Sequence, residues 1–235
     1  MSVWAARRFW TSATVQPEGA GFAIHLDTRP LRTPLKMPLI LPTEALAQAI
    51  AAEWQAQQGT VNPASMPFTR TANSAIDKVA PQFAEVVAML AAYGETDLLC
   101  YRAIGPSALI DRQAAVWDPV LDWAADALEA PLRTTRGVMH VHQPAGSLVA
   151  LNTSVSALSP FQLAAFHDLV AISGSLILAL TVTHGRLTAD AAWATSRIDE
   201  DWQIEQWGAD EEAAKNTVLK QAAFLQASRF YALCG

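Results

Sequence analysis

The sequence predicts an α+β fold: a small β-rich α+β domain over residues 1–80, followed by a mostly α orthogonal helical bundle over 81–235. Three observations carry this. Turn residues and period-two alternation cluster in the first 42 residues, and helical apolar spacing takes over after Pro42. With 51% hydrophobic and 16% charged residues, the 235-residue chain can also bury a sizeable core.

Residues 9–16 have strand composition, and P-E-G-A-G at 17–21 is turn chemistry. Residues 21–27 alternate, with Phe22, Ile24 and Leu26 on one face. Asp27-Thr28-Arg29-Pro30 reads as a second turn. The next stretch, 30–42, contains four prolines, which cannot donate to a ladder, so it is an edge or irregular extended segment. Thr43 is an N-cap for a helix over 45–58, with Leu46, Ile50 and Trp54 on its apolar face and Gly59 at the stop position. A linker follows over 61–70, then a short helix over 71–79. The remaining helices are expected at 82–103, 107–116, 119–129, 146–157, 161–183, 189–207 and 211–233, with Asp118-Pro119 as cap and first residue of the third. Residues 138–142, V-M-H-V-H, alternate briefly and read as extended.

The formal net charge of −6 and scattered basic residues argue against a nucleic-acid partner. Arg7-Arg8 reads as a solvated edge. Two cysteines, Cys100 and Cys234, make neither a disulfide scaffold nor a zinc spacing and suit a reducing compartment. The N-terminus has no apolar run of signal-peptide length. The most apolar stretch, 169–183, is shorter than the roughly 20 residues of a membrane span. It contains Ser173-Gly174-Ser175, read as a close helix–helix contact.

Catalytic motifs are absent from the string: no phosphate loop, dinucleotide fingerprint, nucleophile elbow or H-E-x-x-H. His140 and His142 would share a face of a strand, but no third metal ligand lies near them in sequence, so no metal and no cofactor is expected. Cys100, with His167 or His184, is a formal nucleophile candidate set in an apolar helix, where free cysteine acts as a small hydrophobe. A small-molecule-binding helical enzyme using His140, His142 or Cys100 is the alternative function.

Two stretches break their pattern. In residues 93–102, Y-G-E-T-D-L-L-C-Y-R, a continuous helix would put Gly94 and Asp97 on an apolar stripe. Either Asp97 pairs with an arginine, Arg102 or another, or Gly94 breaks the helix; the pairing is favoured because buried carboxylates are normally matched. In residues 197–203 three consecutive carboxylates, Asp199, Glu200 and Asp201, point about 100° apart and cannot all face one ligand. One helix over 189–207 would align Glu200 with Trp193, Ser196, Arg197 and Trp207, as a salt bridge or a partner contact.

Nine motifs in order carry a resemblance. They are R-F-W at 8–10, L-D-x-R-P-L-R-T-P at 26–34, L-P-T-E-A-L-A at 41–47, A-x-E-W-x-x-Q at 51–57 and T-R-x-A-N-x-A-I-D at 69–77. E-T-D-L-L-C-Y-R at 95–102, W-D-P at 117–119, G-R-L-T at 185–188 and D-E-D-W-Q-I-E-Q-W-G at 199–208 complete the set. The chain resembles the assembly chaperones of the F(1) part of ATP synthase that bind its α subunit. The resemblance implies a small α+β domain before an all-α domain and no enzymatic activity. It also implies ATP-independent holding of free α subunit until assembly. The family's essential glutamate falls on Glu200, with Trp202 and Trp207 beside it as partner-facing residues. Asp199 and Asp201 stand where the family has glutamates. Trp54, Gly94, Asp97, Arg102 and Asp118 are its structural signature, Trp54 packing its helix on the first domain. A monomer is expected, with no membrane insertion. Its location is the bacterial cytoplasm, or the mitochondrial matrix for a processed eukaryotic protein.

Overall fold

In a computed structural model, residues 7–235 are described, and the leaderless reading of the first six residues lies outside them. The fold is α+β. The chain divides into two compact units. One takes the described residues up to Phe83 together with Ser159–Ala165 and Arg229–Gly235; the other takes Ala84–Leu158 and Phe166–Ser228. The first unit is thus not a plain N-terminal block: two late segments join it.

In the first unit, β1 (Ala13–Glu18) and β2 (Gly21–Leu26) form an antiparallel hairpin, Ala13 opposite Leu26. The two-residue strands β3 (Arg29–Pro30) and β4 (Ile40–Leu41) both pair antiparallel with β2, which keeps the proline-rich segment at the sheet's margin. Asp27 turns the chain at φ 54° while its carboxylate accepts the N–H groups of Thr11 and Ser12. Helix α1 (Glu44–Gln55) is capped by Thr43, whose hydroxyl accepts from Leu46 N–H and donates to the Leu233 carbonyl. Its Leu46 and Ile50 join Ile24, Leu41 and Phe230 in a fully buried core. Trp54 packs on Trp10 with ring centroids 5.3 Å apart.

Two expectations for this unit change. Arg8 is no solvated edge: its guanidinium donates to the carbonyls of Trp10, Gln55 and Gln57. The second helix starts earlier than 71, as α2 (Pro67–Ser74), continued by one π turn over Ala75–Val79. Glu53 is the reason, since its carboxylate accepts Phe68 N–H at 2.7 Å and Thr69 N–H at 2.8 Å, capping the helix from outside.

The second unit contains α3 (Phe83–Ala91, beginning in the first), α4 (Ser107–Ala127), α5 (Ala145–Ser156), the bulk of α6 (Pro160–Ser173), α7 (Leu176–Thr183), α8 (Ala189–Ser196), α9 (Ile198–Trp207) and most of α10 (Glu211–Leu233). The two-residue strands β5 (Tyr101–Arg102) and β6 (Thr135–Arg136) run parallel. Among the described residues no helix is long and apolar enough to cross a membrane.

Here the sequence-based helices are corrected in four places. The expected helix 82–103 stops at Ala91, passes through a 3-10 turn over Ala92–Thr96 and breaks at Asp97, whose extended backbone (ψ 136°) starts a second 3-10 turn. The expected pair 107–116 and 119–129 is one helix running through Pro119. Buried Trp117, Val120, Leu121 and Ala124 lie on both sides of the proline, and the Ala115 carbonyl it deprives of a donor is on an exposed residue. The expected helix 161–183 divides at Gly174, φ 71°, and Ser175 caps α7 by accepting from Leu178 N–H, so Ser173-Gly174-Ser175 is a stop and restart. The expected helix 189–207 divides at Arg197, where φ −105° and ψ 8° end α8.

Candidate functional site

Asp97 makes no pair with an arginine. It is fully buried, and its carboxylate accepts from Leu99 N–H, Ile177 N–H and the Ser175 hydroxyl at 2.8–3.0 Å. It therefore closes its own 3-10 turn and caps the start of α7. Burial pushes its carboxyl up to about 6, against the pull of these hydrogen bonds. Arg102 instead pairs with Asp118 at 2.8 Å, lies 5.4 Å over the Trp117 ring and donates to the Leu99 carbonyl. Gly94 is buried where a Cβ would meet Leu151 Cδ1 at 2.9 Å, with Leu148 and Leu176 at 3.5 Å.

Helix α9 carries the acidic tract. Arg112 of α4 grips it: the guanidinium donates to both Glu205 oxygens, at 2.8 and 2.9 Å, and lies 4.8 Å over the Trp202 ring. Beside it, Gln113 Nε2 donates to Asp199 at 2.6 Å. Asp199, Trp202 and Glu205 thus form the face that docks on α4. Glu200, Ile204 and Trp207, spaced by four and three, point the opposite way. All three are exposed: Glu200 54%, Ile204 42% and Trp207 79%. Glu200 makes a loose ion pair with Arg197, at 3.7 Å, and Arg197 also reaches Asp201 at 3.5 Å. The break at Arg197 removes the predicted stripe: Trp193 and Ser196 are buried and do not line up with Glu200. Trp202, grouped with Trp207 by sequence, is half-buried beneath Arg112. Ile204 was missed by sequence reasoning, though its spacing from Glu200 and Trp207 would have found it.

The fold also makes a cluster the sequence does not show. Gly137 N–H donates to the Arg102 carbonyl, and strands β5 and β6 hold the 137–143 segment beside Tyr101. Gln143 ties that segment's base to the backbone of Arg133 by two hydrogen bonds, at 2.7 and 3.0 Å. His140 and His142 then meet the carboxylate of Glu95, from 45 and 47 residues away in the chain. Hydrogen bonds from His142 first, then from Gln143 N–H and His140, hold the Glu95 carboxyl below the usual range. The thiol alternative fares differently. Cys100 is buried, and burial with the nearby Asp97 charge pushes its thiol up to about 12, far from a nucleophile's range. His167 is engaged with Asp168 at 3.0 Å, and His184 with the Leu180 carbonyl at 2.9 Å.

Residues 7–125 match the family described as ATP12 chaperone protein. The chain belongs to that family. It superposes on the Atp12 crystal structure from Paracoccus denitrificans with a TM-score of 0.95 and 56% identity, over 98% of this chain and 99% of that one. An aspartate-to-lysine mutant of the P. denitrificans Atp12p gives a TM-score of 0.96 at 55% identity, covering 98% of each chain. The mitochondrial protein atp12 of Schizosaccharomyces pombe is 26% identical over 219 residues, covering 88% of this chain and 75% of its own. Both the α+β architecture and the chaperone class therefore hold for this chain.

Proposed function

We propose that this chaperone serves assembly of the F(1) sector of ATP synthase by holding its free α subunit, without ATP and without catalysis, until the assembly partner displaces it. The observation that carries this reading is the exposed α9 stripe of Glu200, Ile204 and Trp207, set on the face away from α4. An aromatic and an aliphatic side chain around one carboxylate are the makings of an interface: the apolar pair supplies area and the carboxylate supplies register. Covering a subunit's apolar assembly surface prevents aggregation, and a holder that competes with the true partner needs less affinity than that partner has. Trp202 acts indirectly, by seating α9 on Arg112. The structural residues Gly94, Asp97, Arg102 and Asp118 keep the unit that carries the stripe, and Trp54 keeps its own unit by packing on Trp10. The protein works as a monomer, in the bacterial cytoplasm or, for a processed organellar relative, in the matrix.

Co-expression with the F(1) α subunit tests this. The α subunit should stay soluble and co-elute with the chaperone. Glu200→Lys and Trp207→Ala should abolish the rescue while the variants remain folded, whereas charge reversal at Asp199 should also loosen α9. An α subunit equally insoluble with and without the chaperone would end the proposal.

A further inference from the structure

We propose that Glu95, His140 and His142 form a binding site for a divalent transition-metal ion of the zinc class, with its fourth position open to solvent. It is independent of the chaperone reading and of the α9 stripe.

The donor spacing is that of a coordination polyhedron. Glu95 Oε1 lies 3.1 Å from His140 Nε2 and 2.9 Å from His142 Nδ1, and the two nitrogens are 3.4 Å apart. A tetrahedral zinc ion with bonds near 2.0–2.1 Å places its ligand atoms about 3.3 Å apart, so one ion fits against all three with small adjustments. Two imidazoles and one carboxylate are a zinc-type donor set, whereas calcium and magnesium call for oxygen alone.

The surroundings orient the ligands. Tyr101 Oη sits 3.2 Å from His140 Nδ1, on the ring edge opposite the donor nitrogen. A hydroxyl that accepts Nδ1–H leaves the Nε2 lone pair for the metal. Gln143 N–H holds the other Glu95 oxygen at 3.2 Å, so that Oε1 is the oxygen turned toward the two histidines, where an ion would take the place of their hydrogen bonds to it. The Gln143–Arg133 clamp fixes both ends of the segment that carries the histidines. His142 is 88% exposed, which leaves the remaining coordination position to water. With the ion bound, the 137–143 segment is pinned to the turn that follows α3.

The test is titration of chelator-stripped full-length protein with Zn(II) alone by calorimetry, repeated with Co(II) as a visible-absorption probe. One equivalent should bind, the Co(II) spectrum should be that of a low-symmetry four-coordinate site, and thermal stability should rise with Zn(II). His142→Ala, at an exposed position that leaves the fold intact, and Glu95→Gln should each weaken binding at least about a hundredfold. Tyr101→Phe should weaken it about tenfold, as loss of an orienting partner does. Absence of Zn(II) binding at micromolar concentrations overturns the proposal. So does binding that His142→Ala, with an unchanged circular dichroism spectrum, leaves unaltered, because other surface histidines then hold the metal.

Discussion

The carboxylate of Asp97 is held by the hydroxyl of Ser175, 2.8 Å away and 78 positions later in the chain. Ser175 at the same time accepts Leu178 N–H, so one hydroxyl links the break after α3 to the cap of α7. The bond replaces the ion pair that a buried carboxylate invites from sequence alone.

The first prediction is a pH signature. The Asp97 carboxyl is raised to about 6 in the folded protein from 3.8 when unfolded, so the folded state binds its proton more tightly. Its stabilising effect is therefore complete below about pH 4 and is lost as pH rises through about 6, a swing on the order of 3 kcal/mol. Urea unfolding of wild type and Asp97→Asn across pH 4–7 should show the difference in stability drifting by this amount in favour of the variant. A flat difference would show that Asp97 does not titrate there.

Asp97→Ala removes the acceptor and leaves Leu99 N–H and Ile177 N–H buried without it. The expected loss is about 2–4 kcal/mol, from two donors at roughly 1–3 kcal/mol each with partial relief. Chemical denaturation at pH 7 measures it.

Gly94→Ala puts a methyl within 2.9 Å of Leu151, which is fully buried and has little room to yield. A cost of about 1–3 kcal/mol is expected, with the melting temperature lowered accordingly. Gly94→Val should cost more. A neutral Gly94→Ala would mean that α5 can move away freely.

Glu53→Ala removes the acceptor that caps α2 through Phe68 and Thr69. About 1–2 kcal/mol should be lost, as for other helix N-caps. Glu53→Asp should fall between, because its shorter side chain reaches the same N–H groups less well. Thermal unfolding of the three proteins gives the ranking.

Cys100 should resist modification by a disulfide reagent in the native protein and react on unfolding, since its thiol is buried and held up to about 12. Rapid native-state labelling would revive a nucleophilic role.

Much of this was readable along the chain, because the signals were local. The Thr43 cap, the 21–26 alternation and the limits of the last helix, 211–233, follow from residues within a turn or two of one another. The weaker of the two readings of 93–102, a helix broken around Gly94, is the one that holds, while the break itself falls to Asp97 through a remote partner, Ser175; the breaks at Gly174 and Arg197 lie inside good helical spacing and were missed. Pro119 failed in the other direction, since buried neighbours on both sides carry α4 through a residue that locally signals a start. At the candidate sites, Glu200 and Trp207 were visible as a spacing, while Ile204 was overlooked. Glu95 could not be joined to His140 and His142, because nothing in a one-dimensional pattern marks a ligand from 45 residues upstream.

The core around Ile24 and Leu46 includes Phe230 and Cys234, and the Thr43 hydroxyl is tied to the Leu233 carbonyl. On a ribosome the sheet and first helix emerge well before the residues that complete their core. The first unit therefore stays half-covered until Phe230 and Cys234 are made, and residues 1–83 expressed alone should behave as a sticky, incomplete fragment.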